Sequence, residues 1–482
     1  MEPLLPCAIA LPERGSRRLL RDLHQQLRSA ITDGRLQSGF RLPSTRSLAE
    51  RFGISRNTVV LTYDLLLSEG YLVARRGSGT CVADTLPWAS KRGPTSRSGG
   101  TGRQLNAFWR ARSAARTAAD PAIPPYSFRL GIPEPGSFPV EAWQRASNRV
   151  LRAFRSTAHV DTDVQGRLAL REGIAQYVSF TRAVACTPED IVVTAGARQA
   201  FELLARVLVT PRRTTLALED PGYPPVRACF VAASAKVAAV PVDDEGLLVH
   251  RLPAQARIIC VTPSHQFPLG CVLSARRRAA LLEFARAHGA VVIEDDYDGE
   301  FRFEERPLDA LQTLDRTESV FYVGTFSKSL MPALRLGYIV APPWARSALI
   351  AAKSLADGPC CALTQDILSV LIEEGHLARH VRSMLRIYAG RREALLAILQ
   401  RDFASWLQPV PSSAGLHVSA VTRLDADDRD LEKRALRAGV GVRALSHFAV
   451  RQGARRGVIF GYGAIGEASI VEGLGRLRRA LV

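Results

Sequence analysis

Lysine is scarce in this chain. The 482 residues hold five, at positions 91, 236, 328, 353 and 433, far fewer than the arginines. A lysine set inside a chemical motif therefore carries unusual weight. Metal-binding cysteine patterns are missing too: the eight cysteines include no C-x-x-C pair, and the neighbours Cys360 and Cys361 lack ligand spacing. That excludes a zinc ribbon or a thioredoxin-like motif, and dispersed thiols of this kind read as packing residues of a reducing compartment. No apolar stretch reaches the ~20 residues that cross a bilayer. The opening MEPLLPCAIALPERG places Glu2 where a signal peptide carries basic residues, and prolines break its apolar run. The expectation is a cytoplasmic protein with no metal and no membrane partner.

Positive charge is abundant. A formal net charge of +18 favours a polyanionic partner, either nucleic acid or an acidic membrane surface. A GC-rich genome produces the same arginine excess, so charge alone does not choose. At ~100–200 residues per domain the length implies two or three units. The 47% apolar content suffices for large cores.

Residues 13–84 read as one small α+β domain. Leu19, Leu23, Leu27 and Ile31 recur every four residues along one helical face that ends at Gly34. Ser44 is an N-cap for a short helix with Leu48, Ala49 and Phe52 as its apolar face, closed by Gly53. Ser55 caps a third helix carrying Val59, Tyr63, Leu66 and Leu67, ended by Gly70. Strands over 71–74 and 80–83 follow, joined by the turn RRGSG. Two short helices around a tight turn and then a hairpin make a winged helix-turn-helix, whose second short helix enters the major groove by its N-terminal end. That end reads Ser55-Arg56-Asn57-Thr58. Arg can grip guanine, Asn adenine, and Thr a base or a phosphate. Ser44, Thr45 and Arg46 supply phosphate donors at the preceding helix start, and Arg75, Arg76 and Gly77 form the wing tip.

Residues 85–124 change character. SKRGPTSRSGGTGR has no hydrophobic period and reads as a flexible basic linker, with one helix possible in NAFWRARSAARTAA. Residues 125–482 alternate buried-strand runs (IVVTAG, TTLALED, RIICVTP, AVVIEDD, SVFYVGT) with helical segments. That alternation predicts an α/β domain with a mainly parallel sheet covered by helices.

Several of those strands end in chemistry. VGTFSKSLMPALRLGY holds Lys328, flanked by Thr325 and Ser327, with Arg335 seven residues on. A lysine with hydroxyls and a guanidinium nearby suits a carbonyl cofactor that carries a phosphate. VVIEDDY offers Asp295 or Asp296 to a pyridine nitrogen and Tyr297 to a ring hydroxyl. TAGARQAF leads from strand to helix, so N–H groups at Gly196 and Ala197 can hold phosphate oxygens. EDPGYPP puts Tyr223 where an aromatic can cover a ring. Singly, each has a bland reading: a solvated charge, a helix cap, plain packing. The ordered set is harder to obtain that way.

The wording of both halves resembles known families. GRLQSGFRLPSTRSLAERFGISRNTVVLTYDLLLSEGYLVARRGSGTCVA is similar to the GntR-type winged helix, which implies DNA contacts for Arg46, Arg56, Thr58 and Gly77. From about residue 128 the chain resembles a fold type I, class I aminotransferase, and TPSHQFPLG, IEDDYDGEF and GTFSKSLMPALRLGY resemble the fused MocR/GabR regulators. The resemblance implies pyridoxal 5'-phosphate held as a Schiff base on Lys328, with Asp295 on the pyridine nitrogen and Tyr297 on the ring hydroxyl. It also implies Tyr223 stacked on the ring, phosphate contacts by Thr325, Ser327 and Arg335, and a homodimer. Asp295 is preferred to Asp296 because the family aspartate lies two residues before the tyrosine. The sequence departs from working aminotransferases at three places. Phe267 stands where they carry asparagine, and Ile459 where they carry the arginine for a substrate carboxylate; Arg455 and Arg456 are nearby substitutes. Ala197 and Arg198 stand where a hydroxyl residue is common. The expected function is a regulator that binds an operator duplex and senses a small amine, an amino acid or pyridoxal phosphate itself. The alternative is a working aminotransferase with an accessory DNA-binding domain.

Overall fold

Chain contacts divide the protein into two units, Met1–Trp109 and Arg110–Val482. The computed structural model describes residues 5–12, 16, 18–75, 79–84, 106–114, 123–154, 163–303, 309–423, 427–451 and 455–481.

In the first unit, α1 (Leu19–Thr32) buries Leu23, Leu27, Ala30 and Ile31 along one face. The Ser44 side chain caps α2 (Thr45–Phe52) by accepting the Ser47 N–H at 3.2 Å, and Gly53 ends that helix in the left-handed region. Ser55 caps α3 (Arg56–Ser68) on the Thr58 N–H at 3.1 Å. Val59, Tyr63 and Leu66 of α3 meet the α1 face and Leu48 of α2 in a single core. The Tyr63 hydroxyl donates to the Pro43 carbonyl at 2.9 Å, which fixes the entry to α2. The wing is the antiparallel pair β1 (Leu72–Arg75) and β2 (Gly79–Val82). Each strand is offset by one residue from the expected span. Tyr71 is drawn out of the first strand because it is buried and its N–H closes α3 on the Leu66 carbonyl at 2.9 Å. Residues 76–78 of the expected turn lie outside the described residues, as do 85–105 and 115–122 of the expected linker. A helix does form within NAFWRARSAARTAA, at Ala107–Ala114.

The second unit is built on an eight-stranded sheet. Its strands are β3 (Ile191–Thr194), β4 (Thr215–Asp220), β5 (Lys236–Asp243), β6 (Gly246–Leu247), β7 (Ala256–Val261), β8 (Val291–Asp296), β9 (Val320–Thr325) and β10 (Gly337–Val340), in the order β3-β10-β9-β8-β7-β4-β5-β6. The five strand runs read from sequence are β3, β4, β7, β8 and β9. The centre, from β9 to β5, is parallel, as expected. β10 departs from that expectation by inserting antiparallel between β9 and β3. The chain can return beside β9 because the eleven residues between them, including Lys328, form a short turn rather than a crossover helix. Both faces of the sheet are covered, so successive residues of one strand enter different cores. Val192 and Phe321 pack under the helices Ala197–Leu208 and Arg346–Ala356, while Val193 and Tyr322 pack under Leu168–Arg182. A second, antiparallel sheet of β11 (Leu407–Pro409), β12 (His417–Thr422), β13 (Arg443–Ala444) and β14 (Gly457–Gly461), in the order β11-β12-β14-β13, packs with the 27-residue helix His376–Asp402.

Candidate functional site

The segments that follow β4, β7, β8 and β9 surround one cavity of about 470 Å³, with the N-terminus of the helix Ala197–Leu208 at its edge. Ligands of open α/β sheets bind in this place, outside the carboxyl ends of the strands. Ala197, Tyr223, Asp295, Tyr297, Thr325, Ser327, Lys328 and Arg335 all line it. Gly196 is the N-cap of the helix just behind, and a Cβ there would lie 3.4 Å from the Arg335 guanidinium.

Lys328 Nζ donates to the Gly131 carbonyl at 2.6 Å. Gly131 has φ +65°, and a Cβ on it would sit 2.3 Å from Nζ, so glycine makes room for the amine. Burial lowers the Lys328 pKa, with Asp298 and Asp295 acting in the opposite sense. A lysine shifted toward its neutral form is the one able to attack a carbonyl.

The two aspartates that end β8 point to opposite faces. Asp296 accepts from Arg182 Nε and from the Tyr322 hydroxyl, both at 2.6 Å, in a buried ion pair away from the cavity. Asp295 lines the cavity, is buried, and its Oδ1 has no hydrogen-bond partner. Burial pushes its pKa well above the ordinary carboxylate range, reinforced by the negative charge of Asp296. A buried acceptor without a donor is costly. A protonated pyridine nitrogen is a donor of the right charge, and by this measure the residues present fit pyridoxal phosphate.

On the other side of Lys328, Thr325 Oγ1 donates to Ser327 Oγ at 3.0 Å, and Arg335 holds the Ala195 carbonyl at 2.6 Å. Two hydroxyls, a guanidinium and a helix N-terminus make a cradle for a phosphate dianion. Tyr223 meets Phe267 edge-to-face at 5.5 Å. Sequence reasoning did not assign Gly131, Asp298, Leu416, His417 and Phe448, which also line the cavity. Asp298 was visible inside IEDDYDGEF. His417 and Phe448 come from the second sheet and its connections, where nothing local marks them. The positions of departure behave differently from one another. Phe267 and Arg198 line the cavity, whereas Ile459 is buried in β14 beside Leu269, Cys271 and Leu445. Arg455 pairs with Asp244 at 2.8 Å, and neither it nor Arg456 is among the lining residues. Among the described residues one group has metal-ligand composition, His265, Asp298 and His417. His265 Nδ1 is engaged by Asp298 at 3.0 Å and His417 Nε2 by the Pro268 carbonyl at 2.9 Å, while His265 Nε2 is buried with no hydrogen-bond partner.

In the first unit, Arg56 and Asn57 are exposed at the start of α3. Arg46 is exposed, 3.3 Å from Glu50, and shares a shallow surface depression with Arg56. Thr45 opens α2. Ser55 Oγ and Thr58 Oγ1 bond each other at 2.8 Å. Arg75 is paired with Asp84 on the wing, and Arg76 and Gly77 lie outside the described residues.

Comparison with known proteins agrees with this division. Residues 19–82 match the family of bacterial regulatory proteins, gntR family, and residues 128–458 match aminotransferase class I and II. The chain is 37% identical over 465 residues to the probable rhizopine catabolism regulatory protein MocR of Rhizobium meliloti, covering 96% of this chain and 93% of that one. It is 34% identical to the HTH-type pyridoxine biosynthesis transcriptional regulator PdxR of Corynebacterium glutamicum, covering 93% and 92%. Among solved structures, α-aminoadipate aminotransferase LysN of Thermus thermophilus, complexed with N-(5'-phosphopyridoxyl)-L-leucine, superimposes with a TM-score of 0.69 at 28% identity, covering 78% of this chain and 98% of that one. The fold and these relatives thus define a DNA-binding transcription regulator whose larger domain has the fold of the type I aminotransferases. The chain belongs to the MocR-type regulators, in which a GntR-type helix-turn-helix domain is fused to a class I and II aminotransferase domain.

Proposed function

We propose that this regulator carries pyridoxal phosphate on Lys328 and uses the cavity to sense a small amine, an amino acid or the cofactor itself, rather than to turn substrate over. One observation carries the reading: a buried, unpartnered Asp295 Oδ1 and the Lys328 amine face the same cavity. When bound, the cofactor supplies a carbonyl that a primary amine can take over from Lys328. Asp295 holds the charge opposite its ring nitrogen, Tyr223 covers the ring, and Thr325, Ser327, Arg335 and the N–H groups at Gly196 and Ala197 hold its phosphate. Neighbouring names support either kind of effector, since one relative is a regulator of rhizopine catabolism and another of pyridoxine biosynthesis. The regulator acts where the chromosome is, in the cytoplasm. Operator titration of the cofactor-loaded protein beside Lys328→Ala tests the sensing role, and identical affinities and complexes would overturn it.

The operator is read by the first unit. Arg56 stands exposed at the N-terminal end of α3, where a side chain reaches a guanine edge. Losing such a bidentate contact costs roughly 1–3 kcal/mol and relaxes preference at one base position. Arg75, which ends the first wing strand, and the next residue in sequence, Arg76, serve general affinity, so replacing both weakens operator and random duplex alike and flattens the salt dependence. Titrations of each variant at several salt concentrations separate the two. Equal loss on both duplexes in Arg56→Ala removes α3 from base recognition. We also infer a homodimer, because aminotransferase-fold sites are completed across a subunit interface and two winged helices then read two half-sites. Sedimentation at the monomer mass with full cofactor occupancy would rule it out.

A further inference from the structure

Two segments meet at the cavity in a pair of side chains to which the proposed site gives no part in holding the cofactor. TPSHQFPLG supplies His265, IEDDYDGEF supplies Asp298, and both side chains are buried. His265 Nδ1 lies 3.0 Å from Asp298 Oδ2 and 2.9 Å from the Tyr297 hydroxyl. The space is built for the pair. Gly415 has φ +86°, and a Cβ on it would fall 2.0 Å from His265 Cε1 and 2.6 Å from Asp298 Oδ2. The imidazole stacks near the Tyr297 ring at 5.8 Å and tilts against His417 at 4.8 Å.

One tautomer of His265 serves both neighbours of Nδ1. With the Asp298 carboxylate accepting, His265 carries its hydrogen on Nδ1, and Nε2 is buried with no hydrogen-bond partner. In that tautomer the Tyr297 oxygen, 2.9 Å away, can accept from the same N–H, and its own hydrogen is available to another acceptor. Phe267 lines the cavity beside Tyr297, ring centroids 5.9 Å apart, with a side chain that donates nothing. We propose that His265 and Asp298 are a positioning pair that orients the Tyr297 hydroxyl as the donor to the ring oxygen of the bound cofactor, taking over work that a polar residue at position 267 would share. The proposal rests on the reading that this cavity holds pyridoxal phosphate.

A donor aimed at a ring oxygen stabilises its ionised form and lowers the pH at which the bound cofactor changes its visible absorption. The charged and titratable groups facing Tyr297 are His265, Asp298 and Asp295, with His417 packed against His265, Glu219 and Asp296 farther in, and Lys328 and Arg198 also lining the cavity. The experiment is an absorption titration against pH of the cofactor-loaded wild type, His265→Phe, Asp298→Asn, Tyr297→Phe and the His265→Phe/Tyr297→Phe double variant. The midpoint should rise by roughly half to one pH unit in His265→Phe, the equivalent of one hydrogen bond. Tyr297→Phe should raise it at least as far, and the double variant no further. Asp298→Asn should move it in the same direction, which keeps the test open if His265→Phe does not fold. Unmoved midpoints with a lowered Tm would show a merely structural pair and overturn the proposal, as would an additive shift in the double variant. A wild type with no visible band after loading would overturn the cofactor reading, and this inference with it.

Discussion

Lys328→Ala protein is expected to stay folded and to lose every borohydride-fixed cofactor adduct, while the wild type is yellow and carries the adduct on Lys328. The fold should survive because Nζ makes one hydrogen bond, to the Gly131 carbonyl. A typical intramolecular hydrogen bond contributes about 0.5–1.5 kcal/mol against a total stability of ~5–15 kcal/mol. Among the described residues no other lysine lines the cavity. Lys353 is fully buried and held by Asp357 at 2.9 Å and Gln199 at 3.3 Å. Lys236 is exposed at the start of β5, and Lys433 is exposed on the helix Asp428–Arg437. Peptide mapping after reduction reads the site directly, with circular dichroism melts as the folding control. An adduct on any other lysine, or one retained in Lys328→Ala, ends the assignment.

The parts legible in the sequence were those written locally. Ser44 and Ser55 announced two helix starts because capping is a short-range bond between a side chain and an N–H two or three residues on. The strand runs of the large sheet were legible because strands buried on both faces have no polar alternation to confuse with anything else. Lys328, Asp295, Tyr297 and Thr325 stood out because each follows or ends such a run, and the fold gathers strand ends to one place. What the sequence hid is held by long-range geometry. Nothing near Gly131 says that its backbone will approach a lysine 197 positions away. The antiparallel insertion of β10 depends on a partner on each side, which no local pattern specifies. Local chemistry left Asp295 and Asp296 alike; the family resemblance favoured Asp295, and the buried Arg182 and Tyr322 hold Asp296 on the other face.

That distinction predicts stability changes of opposite sign for neighbouring residues. Asp296 is one half of an ion pair whose side chains are 3% and 4% exposed, and it also accepts from the Tyr322 hydroxyl. Asp296→Ala removes the carboxylate from this buried ion pair and the acceptor of the Tyr322 hydroxyl, a loss of roughly 3–5 kcal/mol. Asp295 is also buried, but one of its oxygens has no donor, so in the protein without cofactor its charge is a liability. Burial raises its folded pKa, so the folded state holds the Asp295 proton more tightly than the unfolded chain does. The resulting stabilisation is complete below the unfolded value of about 4 and is lost as pH rises through the raised folded value. Asp295→Asn should therefore stabilise the cofactor-free protein at neutral pH and flatten its stability between pH 4 and neutrality. The same substitution should weaken cofactor binding, since an amide cannot keep a ring nitrogen protonated. Urea unfolding of cofactor-free protein at several pH values measures the first effect, and absorption titration with pyridoxal phosphate the second. Destabilisation by both substitutions to the same degree would mean that Asp295 has a partner in the folded protein, and the carboxylate facing the ring nitrogen would have to be sought elsewhere.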